Sequence, residues 1–301
     1  MTATHPPDSQ LRGFVALLPA AARPYALLAR FDRPIGWWLL YWPCAWGLAL
    51  GGGAVSHWPL FLWMLLGAIV MRGAGCVYND IVDRDLDAKV ARTASRPVAS
   101  GAVSMVSALL WTLFLSLVGL LVLLQLPGPA QIVALASLIL VAAYPFMKRI
   151  TWWPQAWLGL VFTWGALVGW VALRSDHLDA MLALYGGAFF WCMGYDTIYA
   201  CQDREDDALV GIKSSALRLG NNVQAGVIGF YCIALTLWGL AFWLLRADWL
   251  ALLALLPAGL HLMWQGVTLR PDSADNALAR FRSNRVAGAL VAAACFVVGN
   301  A

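Results

Sequence analysis

The chain has 301 residues, 61% of them hydrophobic and only 12% charged, with a mean hydropathy of +0.72. Soluble domains carry roughly 25% charged residues, so this composition excludes a water-soluble globule and points to an all-α integral membrane protein. The net charge of +4 is small and reflects membrane orientation, so no nucleic-acid partner is expected.

Residues 1–34 form an N-terminal segment. Met1 to Gln10 is polar, with neither the basic start and apolar core of a signal peptide nor the Arg-rich, acid-poor character of a mitochondrial presequence. That pattern favours a bacterial inner membrane. Residues 11–34 read as an amphipathic stretch lying on the membrane surface. A spanning helix needs about 20 mostly apolar residues. Nine segments qualify: 35–54, 59–79, 103–125, 130–147, 153–173, 179–200, 223–245, 248–269 and 285–301. Turns are marked by Gly51-Gly52-Gly53, Pro127-Gly128-Pro129 and Arg270-Pro271-Asp272. The whole chain, 1–301, reads as one transmembrane domain. Seventeen Trp suit membrane interfaces. The six Cys show no metal spacing and read as small apolar helix residues.

Basic residues set the orientation. With the N-terminus and every even-numbered connection on one side, that side holds seventeen of the twenty Lys and Arg. Only Arg174 and Arg246 fall opposite, and Arg72 lies inside the second span. A cytoplasmic N-terminus is the expectation.

Half of the sixteen acidic residues sit in two short segments on that basic side, Asn79 to Asp87 and Asp203 to Asp207. Both contain Asp-Arg-x-x-Asp, and each follows a long apolar run. Asn79, Asp83 and Asp87 stand at i, i+4, i+8, which places them on one helix face; Arg72 and Cys76 continue that face inward. Asp196, Tyr199, Asp203 and Asp207 stand at i, i+3, i+7, i+11, again one face. Fifteen of the sixteen acids are Asp, whose short arm loses little rotamer freedom around a metal. Paired hard carboxylates suit Mg²⁺, and a protein-bound Mg²⁺ commonly takes phosphate oxygens as its other ligands. Two aspartates on each side suit two such ions. Lys89, Arg92 and Arg96 follow the first segment, Lys213 and Arg218 the second; they suit the free phosphate oxygens. One Asp-rich loop alone is as well explained as a solvated connector. Its repetition at two equivalent helix ends, each with basic residues behind it, favours a diphosphate site. Asp85 and Asp206 point off these faces and read as solvated. Tyr41, Trp42 and Trp46 read as packing or interfacial aromatics, and His57, His177 and His261 as structural or solvated.

Asn79-Asp80-x-x-Asp83-x-x-x-Asp87 and Asp196-x-x-Tyr199-x-x-x-Asp203-x-x-x-Asp207 resemble the two signatures of the UbiA superfamily of intramembrane prenyltransferases. The resemblance covers roughly residues 30–300. Arg33-Pro34-Ile35-Gly36, Tyr41-Trp42-Pro43, Arg92-Thr93-Ala94-Ser95-Arg96-Pro97, Tyr144-Pro145-Phe146-Met147-Lys148-Arg149 and Gly211-Ile212-Lys213-Ser214-Ser215-Ala216 are similar to the branch that prenylates 4-hydroxybenzoate in ubiquinone biosynthesis. The resemblance implies nine transmembrane helices around a central cavity, capped by two acidic loops. It implies Mg²⁺ as cofactor, a polyprenyl diphosphate donor bound with its tail among membrane lipid, and 4-hydroxybenzoate as acceptor. Asn79, Asp83, Asp87, Asp203 and Asp207 become Mg²⁺–diphosphate ligands, with Asp80 and Asp196 weaker candidates. Lys148, Arg149, Lys213 and Arg96 contact the diphosphate or the acceptor carboxylate, Arg149 being the first choice for the carboxylate and Arg72 the second.

Three rivals remain open at this point: a relative with another acceptor, a cation or metabolite transporter, and a lipid phosphatase. Transporter sites usually lie at the membrane midplane, whereas both acidic segments lie at one side.

Overall fold

A computed structural model describes residues 9, 12–89, 93–204, 211 and 213–300, with backbone alone for Arg12, Phe14, Lys148 and Asp203. The regular structure of these residues is entirely helical. In chain order the helices are α1 (Arg12–Leu17), α2 (Arg23–Leu28), α3 (Ile35–Leu50), α4 (Trp58–Val82), α5 (Arg84–Asp87), α6 (Met105–Leu123), α7 (Gly128–Ile150), α8 (Pro154–Phe162), α9 (Gly165–Val171), α10 (Leu178–Ala200), α11 (Ser215–Leu219), α12 (Val223–Leu245), α13 (Trp249–Leu253), α14 (Leu256–Val267) and α15 (Ala274–Gly299). Short 3₁₀ turns follow α10 and α11, at Cys201–Asp203 and Gly220–Asn222.

Among the described residues, six helical stretches are long and apolar enough to cross a membrane: Trp58–Val82, Met105–Leu123, Gly128–Met147, Ser215–Leu245, Trp249–Val267 and Ala274–Gly299. They occupy six of the nine expected segments. The other three segments are helical, but α3 has only 16 residues and 153–173 is split between α8 and α9. At the split, Thr163 Oγ1 donates to the Gly159 carbonyl (2.7 Å) and the Trp164 indole donates to the Val133 carbonyl (2.8 Å). Side-chain bonding of this kind competes with the helix ladder and bends it.

The chain forms two compact units, residues 1–38 with 65–125, and residues 39–64 with 126–301. The first has a core of Leu28, Ala29, Val70, Ala74, Val77, Val98, Val103, Ala108 and Leu115. Within residues 12–34, α1 and α2 are six-residue helices, and Leu28 at the end of α2 is fully buried in that core. Tyr25 meets Trp111 of α6 edge-on at 5.8 Å. The opposite side of α6 exposes Leu109, Leu110, Leu113, Phe114, Leu117 and Leu121, as a lipid-facing helix must.

In the second unit α10 packs on α12 through small residues. A Cβ at Gly187 would run into Trp238, and one at Gly194 into the ring of Tyr231. Gly165 and Gly169 of α9 likewise admit the backbone of α3 around Cys44. Lipid gives helices no hydrophobic reason to associate, so close packing over small residues takes that place. Trp46, Trp170, Trp191 and Trp238 are fully buried. These four are core rather than interfacial residues. The Trp46 indole donates to the Gly288 carbonyl (2.9 Å) and the Trp191 indole to Asn284 Oδ1 (2.8 Å), so both polar handles are satisfied.

Candidate diphosphate site

In the first unit α4 ends at Val82, and Asp83 occupies a turn before α5. The helical register survives this break. The Asp83 amide donates to the Asn79 carbonyl (2.9 Å) and the Asp87 amide to the Asp83 carbonyl (2.8 Å). Successive i→i−4 bonds keep Asn79, Asp83 and Asp87 in line, as the spacing predicts. Asp83 and Asp87 are buried and Asn79 half-buried, whereas Asp85 is exposed.

Basic residues close around these acids. Arg30 Nη2 donates to both carboxylate oxygens of Asp80, at 2.9 Å each, while its Nη1 donates to the Leu27 carbonyl (3.0 Å). Arg96 Nη1 lies between two carboxylates, 2.7 Å from Asp87 Oδ2 and 3.2 Å from Asp80 Oδ1. Thr93 Oγ1 donates to the Asp87 carbonyl (2.9 Å), tying the loop that carries Arg96 to the end of the acidic segment. Burial by itself lowers the Arg30 pKa, but Asp80, Cys76 and Asp32 together carry it above the ordinary guanidinium value, so this arginine stays charged. Arg30 has φ 57°, a left-handed conformation that L-residues adopt at a cost. Arg72 is half-buried on α4, donates to Cys76 Sγ, and has its Nε against Gly36. Lys89 is exposed.

Asp80, a weaker candidate for a Mg²⁺–diphosphate ligand, has its oxygens bound by Arg30 and Arg96. Arg30 and Asp32 were absent from the sequence-derived site. Asp32 is 1% exposed, its carboxylate oxygens accept no hydrogen bond, and the Arg33 Nε lies 3.6 Å away. The signal available in the sequence is the charge alternation Arg30-Phe31-Asp32-Arg33 directly before Pro34, within the stretch assigned to the membrane surface.

In the second unit α10 carries Asp196 and Tyr199, both half-buried, and Tyr199 packs on Phe281 at 4.6 Å. Past Ala200 the chain tightens into the 3₁₀ turn Cys201–Asp203, so the expected single α-helical face does not extend unchanged to Asp203. Glu205, Asp206, Asp207 and Arg92 lie outside the described residues, as do the side chains of Asp203 and Lys148. Lys213 Nζ donates to the Ile150 carbonyl (3.2 Å), which brings it to the end of α7 beside the exposed Arg149. A buried set of hydrogen bonds places it there. The Ser215 amide donates to Gln155 Oε1 (3.0 Å), and the Ser215 and Thr197 hydroxyls share a 2.7 Å bond next to Asp196.

Among the described residues, no three His, Cys, Asp or Glu side chains form a group able to hold a metal ion. The donor set of the first segment nevertheless suits Mg²⁺: two buried carboxylates one helical turn apart, with an amide one turn before them.

The UbiA prenyltransferase family profile matches residues 40–286. A relative from Drosophila melanogaster, "4-hydroxybenzoate polyprenyltransferase, mitochondrial", is 44% identical over 96% of this chain and 74% of its own length. An Arabidopsis thaliana protein of the same description is 42% identical over 91% of this chain and 68% of its own. Among solved structures, a UbiA homologue from Archaeoglobus fulgidus bound to GPP and Mg²⁺ matches with a TM-score of 0.69 at 19% identity, covering 92% of this chain and 100% of that one; at that identity the likeness speaks for the fold alone. The mitochondrial relatives overturn the expected bacterial inner membrane and, with it, the cytoplasmic N-terminus. The distribution of Lys and Arg separates the two sides of the membrane but does not say which membrane it is. By both profile and relatives, the chain belongs to the UbiA prenyltransferase family.

Proposed function

We propose that the protein transfers a polyprenyl group from polyprenyl diphosphate to the ring of 4-hydroxybenzoate, ortho to the hydroxyl, with Mg²⁺ as cofactor. The structural observation carrying this is the unbroken register of Asn79, Asp83 and Asp87 with Arg96 folded against it. Relatives named for that reaction over nearly the full chain support the acceptor and donor classes. The chain works as one membrane domain with nine spans, the six long apolar helices together with α3, α8–α9 and α10.

Asn79, Asp83 and Asp87, with Asp203 and Asp207 of the second motif, hold the metal–diphosphate group. Bound Mg²⁺ neutralises charge that builds on the departing diphosphate oxygens. Arg96, Lys148, Lys213 and Lys89 bind the remaining phosphate oxygens, and Arg149 holds the acceptor carboxylate. The bond between the donor's first carbon and its bridging oxygen breaks, and the electron pair leaves with the diphosphate. The ring carbon attacks the allylic cation, and loss of the ring proton restores aromaticity. Water would quench the cation, which a lipid-walled site prevents.

The test uses purified protein in nanodiscs with geranyl diphosphate, 4-hydroxybenzoate and Mg²⁺, read by mass spectrometry for the 3-prenylated acid. Product is expected, vanishing with EDTA and falling at least about 100-fold in Asp83→Ala. Diphosphate release without that product would mean a different acceptor. Full activity in Asp83→Ala would sink the metal assignment.

A further inference from the structure

The contacts of Arg96 carry more than a diphosphate contact. Its Nη1 is 2.7 Å from Asp87 Oδ2, the closer of its two carboxylate contacts, so the cation sits on a carboxylate that the proposed function assigns to metal. The same nitrogen is 3.2 Å from Asp80, a carboxylate 2% exposed that is already neutralised by Arg30. Asp80 therefore remains an anchor for Arg96 whether or not Asp87 is engaged. The backbone keeps this arrangement local. Thr93 is bonded to Asp87, the Arg96 amide to the Thr93 carbonyl (2.9 Å), and the Ser100 amide to the Arg96 carbonyl (2.8 Å). An arginine held this way changes partners by side-chain rotation without moving its loop.

We infer that Arg96 is an exchangeable counter-ion: it holds Asp87 in the donor-free protein and passes to the diphosphate when metal takes the carboxylate, with Asp80 as its pivot. This rests on the reading of Asp87 as a metal ligand. The charge arithmetic supports the exchange. A buried carboxylate is costly without a cation, so Arg96 stabilises Asp87 before the donor arrives. Once metal supplies that charge, a second cation on the same carboxylate is repelled, and the guanidinium's planar donors match a phosphate. Metal and diphosphate then bind cooperatively, since each removes the obstacle to the other. Metal alone must compete with Arg96 for Asp87.

The hold of Arg96 on Asp87 is read in metal affinity, with no turnover needed. The experiment is titration of nanodisc-embedded protein with Mn²⁺ alone, followed by electron paramagnetic resonance, for wild type, Arg96→Gln, Arg96→Lys, Asp87→Asn and the double variant Arg96→Gln/Asp87→Asn. Arg96→Gln is expected to bind Mn²⁺ roughly tenfold more tightly than wild type, the equivalent of one charge-assisted contact removed from competition. Arg96→Lys, which keeps the charge, should stay near wild type, and Asp87→Asn should weaken binding in both backgrounds. Equal affinity in wild type and Arg96→Gln, with Asp87→Asn still weakening both, overturns the exchange while leaving the metal site standing. If Asp87→Asn changes neither background, the metal assignment of Asp87 fails and the exchange falls with it. A single cooperative thermal transition in each variant, with the midpoint near wild type for Arg96→Lys and lowered for Arg96→Gln, shows that the comparison is between folded proteins.

Discussion

Asp80 and Asp83 are three residues apart and both buried, yet they do different work. Asp80 is bound by Arg30 and Arg96, while Asp83 stays in register with Asn79 and Asp87. The Arg30–Asp80 pair is nearly dry, 12% and 2% exposed, so removing Arg30 leaves a buried carboxylate with only the longer 3.2 Å contact to Arg96. Arg30→Ala should therefore destabilise the first unit by about 3 kcal/mol, seen as a lower thermal midpoint in detergent, and Arg30→Ala/Asp80→Ala should recover part of the loss. A double variant no more stable than Arg30→Ala would show that the pair is not coupled. At the acceptor end, Arg149→Ala should raise the Michaelis constant for 4-hydroxybenzoate at least about tenfold, the loss of one charged contact; an unchanged constant and turnover would move the carboxylate contact elsewhere. Neither the pairing of Asp80 nor the importance of Arg30 is visible in residue spacing, because the partners are 50 positions apart and Arg30 reaches Asp80 from a left-handed turn.

At the scale of helices, α10 is the most informative element. Its glycines at 187 and 194 receive Trp238 and Tyr231 of α12, and Tyr231 in turn donates to Gln265 of α14 (2.8 Å). Gly194→Ala forces a methyl into the Tyr231 ring and should cost about 1–3 kcal/mol of overpacking, read as a lower thermal midpoint. Gly229→Ala, with open space around its Cβ, is the control and should leave the midpoint within experimental error of wild type. Apolar length announces α4, α6, α7 and α12 in the sequence. It cannot announce the interruption at Thr163, where the side chain bonds to Gly159, nor the 3₁₀ turn Cys201–Asp203 after Ala200.

For the molecule as a whole, the distribution of Lys and Arg predicts sidedness. In the second unit Asp272 belongs to the basic side and Ser175 to the other, and both are exposed. Single cysteines at these positions, in a background where the exposed Cys232 is replaced by Ser, should react with an impermeant thiol reagent from opposite faces of sealed vesicles. Labelling of both from one face would refute the charge-based topology. Composition, periodicity and charge were enough to establish an all-helical membrane protein, its apolar segments and its two acidic motifs, because lipid admits few backbone solutions and Asp at i, i+4, i+8 has only one helical reading. The composition of the first residues did not identify the compartment, and the mitochondrial relatives overturn the expected one. Tertiary structure alone decided that Arg30 and Arg96 neutralise Asp80, that Arg96 sits on Asp87, that Lys213 is brought to the end of α7, and that four tryptophans are core. Most of these depend on side chains meeting in space across breaks in the helices, and burial favours the meeting, since a charge or indole N–H withdrawn from water is costly without a partner.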